Sequence, residues 1–350
     1  MKKAVILFNL GGPDKLESVE PFLFNLFNDP EIISIPSIFR YPLAKFISKK
    51  RAPIAKNIYK EIGNKSPILE LTQDQARNLE NSLSLKGDYK CFVVMRCWHP
   101  RAKDVIKKVK EYNPEEIILL PLYPQYSAST SGSSIKEWND LCKRENYKVK
   151  TKTICCYPTE NNFIESHVNL IKKTLKNIKN NNFKLLFSAH GLPENKIKKG
   201  DPYQWQIEQT VQGIMEKLKS ENFDYIISYQ SRVGPLEWIG PSTEDELARA
   251  AGEGLGVIIV PIAFVSEHSE TLVELDIEYR ELAADLGLST YVRVPAVGTH
   301  PAFIGGLAET VRKVRADGGP VPFGGAEGAR QCPSSFGKCP CSRSTIQVTL

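Results

Sequence analysis

The chain has 350 residues, of which 41% are hydrophobic and 25% charged, and its formal net charge is +6. These values are typical of a soluble globular protein with room for two domains, and so small a charge does not support nucleic-acid binding. No apolar run reaches the roughly 20 residues that a membrane span needs. The N-terminal MKKAVILFNLGGPD is too short in its apolar part for a signal peptide, so it predicts a first strand and a cytoplasmic protein. In that compartment we expect the 8 Cys to stay out of disulfides.

Short apolar runs alternate with helical segments along most of the chain. The predicted strands cover residues 4–10, 92–95, 116–122, 184–188, 225–229, 257–264 and 291–294. Alternation of this kind predicts parallel sheets with helices on both faces. The sequences ILFNLGGP and LLFSAHGLP share a strand followed by a Gly/Pro turn, which suggests two similar lobes.

Residues 257–282 combine a buried strand with a row of acids. Glu270, Glu274 and Glu278 are spaced four apart, so an α-helix would stack their carboxylates on one face, about 6 Å apart. A solvated acidic face on a surface helix is one interpretation. The other is a metal or proton site, because His268 stands at the carboxyl end of the preceding strand, where α/β proteins bind ligands.

Residues 20–50 are rich in Phe, Ile and Leu and are broken by Pro30, Pro36 and Pro42. They end in the basic residues Lys45, Lys49, Lys50 and Arg51. One interpretation is a helical hairpin packed on the core. The other is an exposed apolar lip with a basic fringe, suited to a membrane surface or an apolar substrate.

The composition changes near residues 230–240. After Gly240 the sequence has no Asn, and Lys occurs only at Lys313 and Lys338, although both residue types are abundant before that point. This change suggests two genetic backgrounds joined in one gene. Uniform codon usage along the gene would contradict that hypothesis.

An ordered set of motifs then resembles the ferrochelatases, the enzymes that insert Fe(II) into protoporphyrin IX in the last step of haem synthesis. The blocks are LFNLGGPD, the SP of residues 66–67, MRCWHP, YPQYSASTSGSS, FSAHGLP, GDPY, SRVGPLEWIGP and SEHSETLVELDIEY. The resemblance implies an α/β fold of two similar lobes, each a doubly wound parallel sheet flanked by helices, with a porphyrin cleft between them. We expect an N-terminal lobe at 1–155 that carries the lip, a C-terminal lobe at 156–325 with the metal site, and a Cys-rich extension at 326–350.

The resemblance also implies the reactive residues. The family's cleft histidine corresponds to His190, its metal-site acid to Glu270 and its acidic track to Glu274 and Glu278, with His268 nearby. Imidazole and carboxylate suit Fe(II), and a neutral histidine accepts a pyrrole proton near pH 7. We expect His190 on one side of the porphyrin and Glu270 on the other; which of them receives iron first stays open.

The same resemblance places a set of side chains around the porphyrin: Arg51, Tyr59, Ser66, Arg96, Ser127 and Trp238. Arg51 and Ser66 would bind the two propionates, and Tyr59 and Trp238 would stack on the ring. Cys97 departs from the aromatic residue of many relatives. The lip would favour peripheral contact with the inner membrane.

The tail carries three close thiols, Cys332, Cys339 and Cys341, which in a reducing compartment favour a metal. Some ferrochelatases hold a [2Fe–2S] cluster in this way, and such a cluster needs four cysteines. Since Ala128 replaces the Cys of some relatives, we expect the fourth ligand to be Cys155, Cys156 or another cysteine. Zinc or a tail without metal is the alternative.

Three functions remain in view at this point. The first is a protoporphyrin ferrochelatase, a lyase. The second is a chelatase for coproporphyrin or a cobalt-accepting ring, and the third is a porphyrin or haem carrier without turnover. The sequence does not decide the oligomeric state.

Overall fold

The computed structural model describes residues 1–178, 182–232, 234–316, 323–324 and 330–343. The strands are β1 (Lys2–Asn9), β2 (Asp88–Met95), β3 (Glu116–Pro121), β4 (Lys150–Cys156), β5 (Phe183–His190), β6 (Tyr225–Gln230), β7 (Gly256–Pro261), β8 (Tyr291–Arg293) and β9 (Phe323–Gly324). β1, β3, β5 and β7 are buried along almost their whole length. Continuous apolar runs produce such strands because helices cover both faces of a parallel sheet.

Helices fill most of the connections between strands. They are α1 (Val19–Phe27), α2 (Ser37–Lys60), α3 (Ile68–Ser84), α4 (Ala102–Tyr112), α5 (Ser133–Arg144), α6 (Asn161–Leu175), α7 (Glu194–Lys198), α8 (Tyr203–Lys217), α9 (Thr243–Gly252), α10 (Tyr279–Asp285) and α11 (Pro301–Ala316). Two segments are π-helical, Ala128–Gly132 and Glu270–Glu278. Short 3-10 turns cover Leu16–Ser18, Lys219–Glu221 and Pro340–Arg343.

The strands form two parallel sheets of the same topology. The first has the order β2-β1-β3-β4 and is extended by β9, and the second has the order β6-β5-β7-β8. In both sheets the second strand along the chain lies at one edge, followed by the first, third and fourth. The predicted α/β fold with two similar lobes is confirmed. The boundaries at residues 155 and 325 stay a prediction, and α11 packs against α3, α6 and β4.

Strand β4 was not among the predicted strands. Its sequence KTKTICC begins with alternating Lys and Thr, and the first two residues are exposed, so the apolar run is too short to stand out. Lys152 on this strand is buried, and its ammonium lies 3.6 Å from Glu116 and donates to the carbonyl oxygen of Val314. The ion pair with the neighbouring strand therefore allows a charged residue in the interior.

The two lobes share one hydrophobic core. Leu120 and Ile154 of the first lobe belong to the same cluster of buried side chains as Phe187 and Ile258 of the second. A second interlobe contact is polar, because the side-chain amide of Gln125 donates to Thr210 of α8 and to the carbonyl oxygen of Ile262. Both contacts position the strand ends of the lobes against each other.

Residues 20–50 form a helical hairpin whose outer face is exposed, so both interpretations of this segment hold in part. α1 packs against α2, and Phe22 and Leu23 are buried with Tyr59. On α2, Phe39 and Phe46 are 65% and 66% exposed. Within the described residues, none of the helices combines the length and the apolar character of a membrane span.

Candidate active site

Three neighbouring strands of the second sheet bring the site together at their carboxyl ends. β5 ends at His190, whose register partner on β6 is Gln230, and β7 leads into the segment with His268 and the π-helix Glu270–Glu278. The carboxyl edge of a parallel sheet is where α/β proteins bind ligands. These residues lie far apart in the sequence, but the strand order β6-β5-β7 makes them neighbours in the sheet.

His190 and Glu270 are in direct contact. Nδ1 of His190 lies 2.9 Å from Oε2 of Glu270, and the side chains are 38% and 25% exposed. The expectation that the porphyrin lies between these two side chains is wrong for this structure, because a gap of that width holds no ring. Their contact follows from the adjacency of β5 and β7. Both side chains are partly exposed rather than enclosed in the core.

The contact changes the protonation of both groups. Burial lowers the pKa of His190, but the Glu270 carboxylate outweighs that effect, so the pKa is raised from 6.5. Burial raises the pKa of Glu270, but the imidazole outweighs it, so the pKa falls below 4.5. An ionised carboxylate only accepts hydrogen bonds, so Nδ1 of His190 donates to it, and whenever the ring is neutral Nε2 is the acceptor.

Glu274 is held by several donors. Its carboxylate accepts from the backbone N–H of Ser231, from Gln230 at 3.0 Å and from the hydroxyl of Tyr279 at 3.2 Å. The hydroxyl of Ser231 donates to it as well. Burial and the nearby Glu270 carboxylate raise the pKa of Glu274. The pKa of Glu270 is therefore lowered and the pKa of the neighbouring Glu274 is raised. Such a pair suits proton transfer, because one carboxyl group stays ionised and the other more readily holds a proton.

The acidic row does not lie on an α-helix as expected. Glu270–Glu278 is a π-helix, and helices of this kind occur frequently at functional sites. The row passes from the partly exposed Glu270 to Glu278, which is exposed. Burial and then the Glu281 carboxylate raise the pKa of Glu278. Spacing by four residues fits both helix types, so it did not distinguish them.

His268 lies beside the pair but is more deeply buried, with 8% of its surface exposed. Its ring packs edge-on against Phe264 with centroids 4.4 Å apart, and its Nδ1 has no hydrogen-bond partner among the described residues. Burial lowers the pKa of His268, so the ring is neutral at pH 7. A neutral imidazole with a free nitrogen lone pair suits a divalent metal.

Some of the expected porphyrin-binding residues lie close to this pair. Tyr59 is buried, and desolvation raises its pKa to about 12. The Ser269 side chain opposes this rise in pKa, and the Glu270 carboxylate adds to it. Trp238 is half-buried and lies against Gly191, next to His190; a Cβ on Gly191 would come within 3.3 Å of the indole. The indole N–H of Trp238 has no partner among the described residues.

Arg51 and Ser66 lie on the first lobe. Arg51 is exposed on α2, and its guanidinium lies over the ring of Phe27 at 5.9 Å. Ser66 is buried beside Gly12, where a Cβ would meet the serine side chain at 2.5 Å. The close approach explains why glycine stands at this turn.

Arg96 and Ser127 are bound within the protein instead. Arg96 forms ion pairs with Asp29 at 2.9 Å and Glu137 at 3.3 Å, and so fixes the loop after α1 to the first lobe. The hydroxyl of Ser127 donates to Asp201. Cys97 is buried in the same cluster as Tyr59.

The tail cysteines meet a cysteine of the first lobe. Cys155 on β4 has its sulfur within 4.8 Å of those of Cys339 and Cys341, and Cys332 belongs to the same buried group. The contact with Cys155 and then the contact with Cys332 lower the pKa of Cys339. Cys156 belongs to the same buried cluster, and Gln206 donates to the sulfurs of both Cys156 and Cys332. The described part of the tail thus provides three thiols and β4 provides a fourth.

Sequence reasoning missed several residues of the site. Gln230, Ser231 and Tyr279 all bind the Glu274 carboxylate, and Ser231 has the unusual backbone angle φ of 60°. A polar residue directly after the predicted strand 225–229 was the available signal. A buried arginine was missed too: Arg293 pairs with Glu267 and Asp276 and fixes the segment before His268.

The comparisons with known proteins agree with this geometry. The family model described as Ferrochelatase matches residues 2–315. The chain belongs to the ferrochelatase family. It is 62% identical over 348 residues to the ferrochelatase of Pelagibacter ubique (strain HTCC1062), covering 97% of this chain and 99% of that one. It is 49% identical over 344 residues to the ferrochelatase of Caulobacter vibrioides, covering 97% of each.

Solved structures show the same fold at low identity. SirB from Bacillus subtilis with Fe3+ superposes with a TM-score of 0.55 at 14% identity, covering 91% of this chain and 97% of that one. The sirohydrochlorin chelatase SirB from Bacillus subtilis subspecies spizizenii, in complex with cobalt, gives a TM-score of 0.53 at 11% identity, with the same coverage. Both likenesses support the two-lobed fold of the ferrochelatase family and no more.

Proposed function

We propose that this chain inserts Fe(II) into protoporphyrin IX, gives protohaem and releases two protons. Family membership across residues 2–315 supports iron insertion into a porphyrin. The single observation that carries the chemistry is the contact between His190 and Glu270 at the carboxyl edge of the second sheet. It joins a proton acceptor to an ionised carboxylate, and both side chains are partly exposed.

The residues divide the work of the reaction. Metal entry requires a bent macrocycle and the loss of two pyrrole protons, and binding energy from the apolar ring faces drives the bending. Nε2 of His190 accepts a pyrrole proton, since Nδ1 is engaged with Glu270. Glu270 stabilises the resulting imidazolium, and His268 and the Glu270 carboxylate offer Fe(II) a nitrogen and an oxygen ligand. Because His190 and Glu270 touch, we place the porphyrin against one side of the pair.

The substrate contacts extend this proposal to the cleft walls. Tyr59 and Trp238 border the histidine and the carboxylate, so they contact the macrocycle. Arg51 and Ser66 bind the propionates through charge-assisted and ordinary hydrogen bonds. Arg96 and Ser127 support the porphyrin site indirectly. Arg96 holds the loop after α1 through its ion pair with Asp29, and Ser127 donates a hydrogen bond to Asp201.

The test is anaerobic incubation of the chain with Fe(II) and protoporphyrin IX, following conversion of the free-base spectrum to that of haem. The His190→Ala variant should bind the porphyrin with little change and lose at least about 100-fold in insertion rate. A chelatase for coproporphyrin or a cobalt-accepting ring would turn over those substrates faster. A carrier would bind protoporphyrin with either side chain at position 190 and convert none.

We also propose a [2Fe–2S] cluster held by Cys155, Cys332, Cys339 and Cys341. The donor set fits, because thiolates are the ligands of such clusters and these four side chains are buried together. The bound cluster would tie the tail to β4 and add a one-electron redox centre. Purified chain should show the absorbance of a ferric–sulfide chromophore and about two iron atoms with two acid-labile sulfides. One bound zinc instead would favour the alternative.

The remaining assignments follow from these two. Iron insertion places the enzyme among the lyases. The exposed apolar side chains of α2, with basic residues beside them, support peripheral contact with the inner face of a membrane from the cytoplasm. Protoporphyrin and ferrous iron are the partners; no nucleic acid is expected.

A further inference from the structure

A line of hydrogen-bonded polar groups leads from Glu274, which lies near the Glu270 carboxylate, to the surface. The backbone N–H and the hydroxyl of Ser231 both donate to the Glu274 carboxylate. The Tyr279 hydroxyl lies 3.2 Å from Oε1 of Glu274 and 2.9 Å from Oε1 of Glu244. Tyr279 is 4% exposed, whereas Glu244, in the first turn of α9, is exposed. The two contacts of Tyr279 have hydrogen-bond length, and the line ends at an exposed carboxylate.

We propose that Tyr279 and Glu244 are proton-relay residues that carry the pyrrole protons from Glu274 to solvent. This inference rests on the proposed function and deepens it. It adds an exit beside α9, which neither residue's place in the sequence suggests. The phenol is a suitable link because it is a donor and an acceptor at one oxygen.

Each transfer conserves atoms and charge. Protonated Glu274 gives its proton to the phenol oxygen of Tyr279 while the phenol's own proton passes to the Glu244 carboxylate, so the tyrosine is neutral before and after. Glu244 then releases that proton to water. No oxidant, reductant or further reactant is needed, and one proton leaves per cycle of the relay.

The acidic row offers a competing exit at Glu278. Among the described residues no hydrogen bond joins Glu274 to Glu278, whereas Tyr279 bridges Glu274 and Glu244 directly. A proton hop requires donor and acceptor within hydrogen-bond reach, or joined by one water. The hydrogen-bonded branch is therefore the exit that the geometry supports.

The test uses the full chain, whose wild-type iron insertion is measured first, so that failure of the proposed function appears before any variant is made. Tyr279→Phe and Glu244→Gln each remove one link. Tyr291→Phe is the matched control, because that hydroxyl donates to the carbonyl oxygen of Leu275 in the same π-helix and touches no carboxylate of the relay. Asp245→Asn is the control for an exposed acid on α9.

We expect each relay variant to lower kcat about 10-fold with an unchanged KM for porphyrin, against less than about 2-fold for the controls. The solvent isotope effect on kcat should rise in the relay variants alone, because proton release becomes slower; a change in folding would not raise it. Relay variants with the same kcat and isotope effect as the controls would overturn the proposal. So would a Glu278→Gln variant slower than Glu244→Gln.

Discussion

The side-chain amide of Gln75 lies 2.7 Å from the carbonyl oxygen of Val265, so a residue of α3 in the first lobe holds the segment that leads to His268. The same amide donates to the carbonyl oxygen of Gly298, and its oxygen accepts from Ser266. Gln75 is completely buried. Together with Gln125, which reaches Ile262, it fixes the strand exit of β7 from the opposite lobe.

Replacing Gln75 by leucine should destabilise the protein. The change leaves the Gly298 carbonyl and the Ser266 hydroxyl without this partner in a buried place, which costs about 1–3 kcal/mol of the free energy of unfolding for each unsatisfied group. Chemical denaturation measures the loss. Gln73→Leu is the control, because Gln73 is exposed on the same helix. Equal stability of the two variants would contradict the interlobe role.

The His190–Glu270 pair should make stability depend on pH within a definite window. The raised pKa of His190 gives stabilisation that is present below 6.5 and lost as the pH rises through the folded-state value. The lowered pKa of Glu270 gives stabilisation that is present above 4.5 and lost as the pH falls through the folded-state value. Both contributions coexist between these pH values.

Glu270→Gln should therefore cost most stability inside that window. Urea unfolding of wild type and variant at about pH 5.5 and about pH 8.5 gives the comparison, with the larger difference expected at the lower pH. A variant at an exposed acid, such as Asp245→Asn, should give the same small difference at both. A Glu270→Gln cost that does not vary with pH would show that the pair is not charged as the contact implies.

Ser231→Ala should move the acid limb of the activity profile to higher pH. Burial, then the neighbouring Glu270, raises the pKa of Glu274, and the Ser231 hydroxyl opposes this. Without the hydroxyl the pKa of Glu274 rises further, so a smaller fraction is ionised at a given pH. The rate of iron insertion against pH measures the shift.

Because Ser231 has a positive φ, Ser231→Gly relieves the backbone while also removing the hydroxyl. The two variants should shift the limb alike, and a shift in the alanine variant alone would assign the effect to the backbone.

Cys155→Ala should abolish the cluster, whereas Cys156→Ala should leave it in place. Cys155 is the β4 thiol whose sulfur lies within 4.8 Å of those of Cys339 and Cys341, a group that does not include Cys156. The iron and sulfide content of each purified variant is the measurement. Cys142→Ala, on α5, is the control for loss of a cysteine away from the group. A cluster retained in Cys155→Ala and lost in Cys156→Ala would reverse the assignment.

The sequence predicts strands where burial on both faces leaves a continuous apolar run, as in β1, β3, β5 and β7. It does not reveal β4, because Lys150 and Lys152 interrupt the pattern and Lys152 is tolerated only through its partner Glu116. The π-helix escapes prediction for a related reason. Four-residue spacing of acids fits both helix types, so the spacing alone does not distinguish them.

Contacts between distant segments explain the other errors. The motif resemblance assigned His190 and Glu270 to the reaction. The distance between them, however, depends on which strands are neighbours in the sheet, and neither motif specifies the strand order. The fourth thiol is similar: Cys155 reaches the tail only because the chain after α11 returns to β4. Residue type predicted the chemistry of the site, and topology decided its distances.

The lip of α2 should bind anionic membranes through its exposed apolar side chains. Phe39 and Phe46 are largely exposed, and Lys45 and Lys49 lie beside them on the same helix. Burial of a phenylalanine side chain in the lipid interface contributes about 1.5–3 kcal/mol, so Phe39→Ser with Phe46→Ser should weaken partitioning at least about 10-fold. Sedimentation with vesicles of mixed zwitterionic and anionic lipid measures it. Leu85→Ser, at an exposed apolar residue after α3, is the control and should change little.

Raising the salt concentration should weaken wild-type binding, because the lysines attract anionic headgroups over about a Debye length. Binding that resists both the double substitution and salt would place the membrane contact elsewhere on the protein.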